Sequence, residues 1–170
     1  MKFGGTSVAD AEAMSRVIAI VRDQLARSAP STPPVVVVSA MSKVTDRLIE
    51  SARLAGDGSG EDAAKMLNDL LERHSGVAKS LVAADRLAPL VAQLSADFSA
   101  LMETVRTLAR HREVSPSSHD AIVAMGELAS SRIVAAAFAS EGVQTAWIDS
   151  LVTAEERTDH PAGPRRASAP

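Results

Sequence analysis

The chain has 170 residues, enough for one buried core, with 46% hydrophobic and 23% charged residues and a net charge of −3. No basic field is present to recruit nucleic acid or anionic lipid, and with 2% aromatics, one Trp and no Tyr there is no base-stacking platform. Cysteine is absent, which excludes disulfides, thiol catalysis and Cys-ligated zinc and accords with a reducing, cytoplasmic setting. No apolar run is read as a membrane span and no signal-peptide core opens the chain, so neither a membrane nor a nucleic acid is expected as a partner.

In chain order, residues 1–3 read as the end of a strand. Met14, Val17, Ile18, Val21 and Leu25 recur at helical spacing and predict an amphipathic helix over residues 8–27. The SAPSTPP stretch that follows is a loop, because its prolines cannot continue a helix. Val35 to Val38 is a β-branched run and predicts a strand buried on both faces. After the SAMSK loop a helix is expected from about Val44 to Ala55, then a flexible GDGSG turn. Ala64, Leu67, Leu71, His74, Ala78 and Leu81 share one helical face, and Leu90, Leu94, Phe98, Leu101, Val105 and Leu108 share another. These predict an antiparallel helical pair joined near Asp85 to Pro89. Beyond Pro116, Ser117 and Asp120 have the spacing of a capping box, and a helix follows to about Ser140, ended by Gly142. Val143 to Ile148 reads as a further strand. Strands alternating with helices predict an α/β fold with a mostly parallel sheet and helices on both faces. Residues 1–158 form one lobe, and residues 159–170, rich in Pro, Ala and Arg, are expected to be disordered.

The chemistry gathers at the start. Gly4 and Gly5 let backbone N–H groups approach a ligand, and the following helix is expected to aim its positive end at that turn. Lys2 adds a full charge, and Thr6 and Ser7 add hydroxyls, which together suit a phosphate. The plainer reading is a tight turn with Thr6 or Ser7 as an N-cap. The stretch is neither a P-loop nor a GxGxxG motif. Ser39 and Thr45 follow the second strand, at the carboxyl end where open α/β sheets bind ligands.

Four segments carry a resemblance. MKFGGTSV resembles the opening of aspartate kinases, in the amino-acid kinase family; VVVVSAMSKVTDRL resembles the second strand and substrate loop, MGELASSRIVAAAF the Gly-Glu helix, and VQTAWIDS with RTD the next strand and turn. Their order and spacing match the family up to about Asp159. The resemblance implies a carbamate-kinase-like α/β fold with an inserted helical pair. It also implies transfer of the ATP γ-phosphoryl group, with Mg2+, to the side-chain carboxylate of L-aspartate, giving 4-phospho-L-aspartate on the way to lysine, threonine and methionine. On that reading Lys2 is the cation at the transferring phosphate, and Gly4, Gly5, Thr6 and Ser7 line the phosphates. Ser39 and Thr45 contact substrate, and Glu127 holds the substrate's α-ammonium. A homodimer is implied as well.

Plainer alternatives stand beside these roles. Thr45 also reads as the N-cap of its helix, Glu127 as a solvated helix residue, and Asp46 and Arg47 as surface or cap residues. His74 lies on an apolar stripe and reads as packed or hydrogen-bonded; His111, His119 and His160 lack metal-ligand spacing. Arg132 and Arg157 carry no assigned role. The GRGGSD segment, nucleotide half and regulatory ACT domains of aspartate kinases have no counterpart in these 170 residues. The chain is therefore expected to be the N-terminal lobe of a larger enzyme, marginally stable and inactive alone. The alternatives are another kinase of the same fold or an inactive lobe serving as an interaction module.

Overall fold

The computed structural model describes residues 1–27 and 33–149. Two short strands, β1 (Lys2–Phe3) and β2 (Val37–Val38), pair in parallel, with Lys2 opposite Val37 and Phe3 opposite Val38. Five helices accompany them: α1 (Ala11–Arg27), α2 (Val44–Gly56), α3 (Gly60–Leu81), α4 (Ala84–His111) and α5 (Pro116–Ser140). A single 3-10 turn, Gly5–Val8, lies between β1 and α1. Among the described residues the molecule is thus mostly helical, around a small parallel sheet.

Successive side chains of a strand point to opposite faces. Val38 is buried, and Phe3 and Val36 pack against the core, while Val35 and Val37 are 72% and 50% exposed. The valine run is therefore covered on one face among the described residues, not on both as its composition predicts. The expected helices on both faces reduce, over these residues, to helices on one. The core lies between that covered face and the helices, filled by Met14, Leu48, Leu67, Leu94, Phe98, Ile122 and Ile133.

Helix α1 starts later than its periodicity predicts, because the Asp10 carboxylate accepts from the Ala13 N–H at 2.8 Å and fixes the first turn there. The α3–α4 connection is Val82–Ala83, earlier than expected. Pro89 lies within α4, near enough to its start that its missing N–H removes one hydrogen bond without ending the helix. Helix α5 is capped by Ser115, whose hydroxyl accepts from the Ser118 N–H at 3.1 Å, and Pro116 occupies the first helical position. The expected Ser117–Asp120 box is not the cap. At the other end, the N–H groups of Gly142 and Val143 bond back to Ala139 and Phe138, closing the helix as expected.

Helix α5 is long and apolar enough to cross a membrane by composition. It is a core helix here, burying Ile122, Ala129, Ile133, Val134, Ala137 and Phe138 against its neighbours. Residues 143–149 do not pair as a strand. They run beside α5 instead, where the Trp147 indole N–H donates to Ser131 Oγ at 3.0 Å and its ring lies 4.0 Å from the Arg132 guanidinium. A strand needs a neighbour for its ladder, and no strand flanks this segment among the described residues. The tail 159–170 lies outside the described residues.

Candidate active site

The carboxyl ends of the two parallel strands lie side by side. The Ser39 N–H donates to the Phe3 carbonyl at 3.0 Å, extending the ladder one step beyond the strands. From there the chain turns twice, into the Gly4–Ser7 loop after β1 and the Ser39–Lys43 loop after β2. The two loops touch: a Cβ on Gly5 would sit 3.0 Å from the Ala40 carbonyl oxygen, tighter than real Cβ contacts tolerate without adjustment. Gly4 differs. Its φ of −80° is ordinary, and a Cβ there would meet nothing within 4 Å. Neither backbone strain nor packing requires glycine at position 4.

Helix α5 closes the third side. A Cβ on Gly126 would lie 2.8 Å from Ala40 Cβ, 3.0 Å from Val44 Cγ1 and 3.1 Å from Leu48 Cδ1, so only a bare backbone lets α5 approach the second loop and α2 this closely. The Ser130 hydroxyl, one turn on and buried, donates to the Ser39 carbonyl at 2.7 Å. Arg73 of α3 reaches the second loop and the residue that ends the first loop's 3-10 turn, its two terminal nitrogens donating to the Ser42 carbonyl at 2.9 Å and the Ala9 carbonyl at 3.0 Å.

Lys2, Gly4, Thr6 and Ser7 are exposed at the first loop, and Gly5 is half-buried. Ser39 is half-buried at the start of the second. Thr45 is exposed and is the second residue of α2; the cap position belongs to Lys43, in the left-handed region at φ 67°. The cap reading of Thr45 is therefore incorrect. Glu127 is exposed on α5 beside Gly126. The fold thus brings β1 with Lys2 and the Gly4–Ser7 loop, the Ser39–Lys43 loop with Thr45 at the start of α2, and the turn of α5 bearing Glu127, to one edge of the molecule.

The positive end of α1 does not face the first loop directly. The 3-10 turn intervenes, and Asp10 occupies the end of α1. Donors at the loop are the local N–H groups rather than a long helix dipole. Sequence reasoning missed Arg73 and Ser130. Arg73 lies off the apolar stripe of α3 and carries no periodic signal, and Ser130 is a polar residue on a face otherwise aliphatic.

His74 is buried in the core as expected. Its Nδ1–H donates to the Leu70 carbonyl at 2.6 Å, its ring centroid is 5.5 Å from that of Phe98, and its Nε2 has no partner. Burial pushes its pKa from the usual 6.5 down to about 4. Arg132 is largely interior. Its Nε lies 3.2 Å from Asp97 Oδ2, out of line for a hydrogen bond, so the contact is electrostatic and is shared with the Trp147 ring. Asp46 and Arg47 are exposed, pairing with Lys43 and Asp69. Arg157 and His160 lie outside the described residues. Among the described residues no three His, Asp or Glu side chains gather to hold a metal ion. A surface depression of about 350 Å³ lies between Gly58–Asp62 and Arg106–Arg110, about 20 Å along α3 from Arg73.

Fold and site together define an α/β protein with two loops side by side at the carboxyl ends of parallel strands, the place where open α/β sheets bind ligands. The amino acid kinase family model matches residues 1–164, and the chain belongs to that family. It is 34% identical to bifunctional aspartokinase/homoserine dehydrogenase 1 of Zea mays, a chloroplastic protein, over 95% of this chain and 17% of that one. It is also 34% identical to chloroplastic aspartokinase 3 of Arabidopsis thaliana, over 80% of this chain and 23% of that one. The chain therefore spans about a sixth to a quarter of these relatives. Among solved structures, E. coli aspartokinase III in complex with aspartate and ADP superposes with a TM-score of 0.57 at 25% identity, over 84% of this chain and 29% of that one. The same enzyme in complex with lysine and aspartate gives a TM-score of 0.68 at 24% identity and speaks to the fold.

Proposed function

We propose that this chain is the amino-terminal, substrate-binding part of an aspartate kinase, which transfers the γ-phosphoryl group of ATP to the side-chain carboxylate of L-aspartate. The observation that carries this reading is the convergence of the two strand-end loops and the Gly126–Ser130 turn of α5 at one edge. A side-chain carboxylate has an ordinary pKa near 3.9, so at neutral pH the attacking oxygen is already ionised and needs no general base. The oxygen forms a bond to the γ-phosphorus, the bond to the β-phosphate bridge oxygen breaks, and ADP leaves with that electron pair. The protein's task is to hold two anions together and offset their charge.

Lys2 is assigned to the transferring phosphate, and the Gly4–Ser7 loop to the phosphate oxygens, through the N–H groups of Gly5 and Thr6 and the hydroxyls of Thr6 and Ser7, the Ser7 N–H being held by the Gly4 carbonyl at 2.9 Å. The open space at Gly4 supports this, since it leaves room for a ligand beside the backbone. Ser39 and Thr45 are assigned to the aspartate and Glu127 to its α-ammonium. Mg2+ belongs to the same proposal, and would supply charge neutralisation when it enters with the nucleotide. A homodimer and a cytoplasmic setting belong to the same proposal. The absence of cysteine accords with the latter.

The test is to incubate the whole gene product with MgATP, L-aspartate and hydroxylamine, which traps an acyl phosphate as its hydroxamate. Aspartate-dependent hydroxamate is expected. Its absence from well-folded protein, with ADP formed regardless of the amino acid, would contradict the reading.

A further inference from the structure

We propose that Arg73 is a positioning residue that ties the phosphate loop to the substrate loop; the inference rests on the kinase reading above. The guanidinium donates to the Ala9 carbonyl at the end of the first loop's 3-10 turn and to the Ser42 carbonyl in the second loop. Its planar fork spans two acceptors that belong to different chain segments, which no single-donor side chain does as well. Ser42 immediately precedes Lys43, whose left-handed conformation launches α2 and Thr45. Holding the Ser42 carbonyl therefore holds the peptide from which the substrate loop turns.

The arm that presents Arg73 is rigid. His74, the next residue, is fully buried, bonded to Leu70 and packed on Phe98 of α4, which fixes the rotation of α3 about its axis. Ser130 and Gly126 hold the second loop to α5, but neither touches the first loop. Arg73 bonds both to Ala9, which ends the 3-10 turn of the first loop, and to Ser42 in the second loop. The α3–α4 hairpin thereby sets the distance between phosphate and acceptor without contacting either.

Amide hydrogen exchange and steady-state kinetics on the whole gene product test this with Arg73→Gln and Arg73→Lys. Exchange in Gly4–Ala9 and Ser39–Val44 is expected to quicken about tenfold in Arg73→Gln while α4 is unchanged. The aspartate KM is expected to rise about tenfold, with kcat per folded molecule falling less. Arg73→Lys, which reaches one carbonyl at a time, is expected to fall between. Unchanged exchange in either loop overturns the proposal, as does faster exchange with an unchanged KM, or a kcat loss that merely follows the folded fraction. If the unaltered protein forms no aspartate-dependent ADP, the kinase reading fails, and the exchange data alone decide whether Arg73 couples the loops.

Discussion

The α3–α4 hairpin buries Leu67, His74, Leu94 and Phe98 completely, whereas the strand end leaves Lys2, Gly4, Thr6, Thr45 and Glu127 in solvent. In the first region each side chain is fixed by dense packing on all sides. In the second, the side chains proposed for the site are carried on a frame of a few backbone contacts: a two-residue parallel ladder, one serine hydroxyl, one arginine and two close glycine approaches. The hairpin is built for stability and the strand end for access. The glycines and the Ser130 and Arg73 bonds are where one region governs the other.

Substitutions in the two regions should separate stability from activity. The largest effect is expected from Phe98→Ala, which opens a cavity at the centre of the hairpin and should cost about 3–5 kcal/mol in denaturant unfolding. A loss below about 1 kcal/mol would mean the hairpin is not the packed core described here.

Acid should act through the same cluster. The folded chain keeps His74 neutral until about pH 4, while an unfolded chain protonates it near 6.5. Between those values the unfolded state holds more protons, so stability is full above about pH 6.5 and declines as pH falls to about 4, by about 3 kcal/mol from this group. His74→Leu should flatten that part of a stability-against-pH curve. An unchanged slope would place the acid sensitivity elsewhere.

At the junction, Gly126→Ala drives a methyl group into Ala40, Val44 and Leu48. Overpacking of about 1–3 kcal/mol is offset by about 1 kcal/mol of helix propensity, so the net stability loss should be about 0–2 kcal/mol. The aspartate KM should rise as well, because α5 is pushed away from the second loop. Higher stability with an unaltered KM would show that the close approach is incidental.

The two regions were also unequally legible from sequence. Helices α1, α3 and α4 declare themselves through apolar residues at helical spacing, because each buries one face. Val35–Val38 predicts burial on both faces, since β-branched runs usually mark interior strands, yet the pattern alone cannot say what covers each face. Val143–Ile148 has strand composition, but a ladder requires a neighbour, and Trp147 binds the segment to α5 instead. Pro89 reads as a helix boundary until its place near the start of α4 is known. At the site, the glycines and Lys2 are conspicuous in sequence. Arg73 is not, because its partners are backbone carbonyls 31 and 64 residues away.

The central claim is that the first loop handles phosphate while the second loop and α5 handle the amino acid. The most direct measurement compares Lys2→Ala and Glu127→Gln in the whole gene product, with ATP and aspartate varied separately. Lys2→Ala should lower kcat about a hundredfold or more, and Glu127→Gln should raise the KM for aspartate about tenfold or more while leaving the KM for ATP within about twofold. Equal effects of Glu127→Gln on both substrates, or a Lys2→Ala enzyme that turns over normally, would contradict this division of the site.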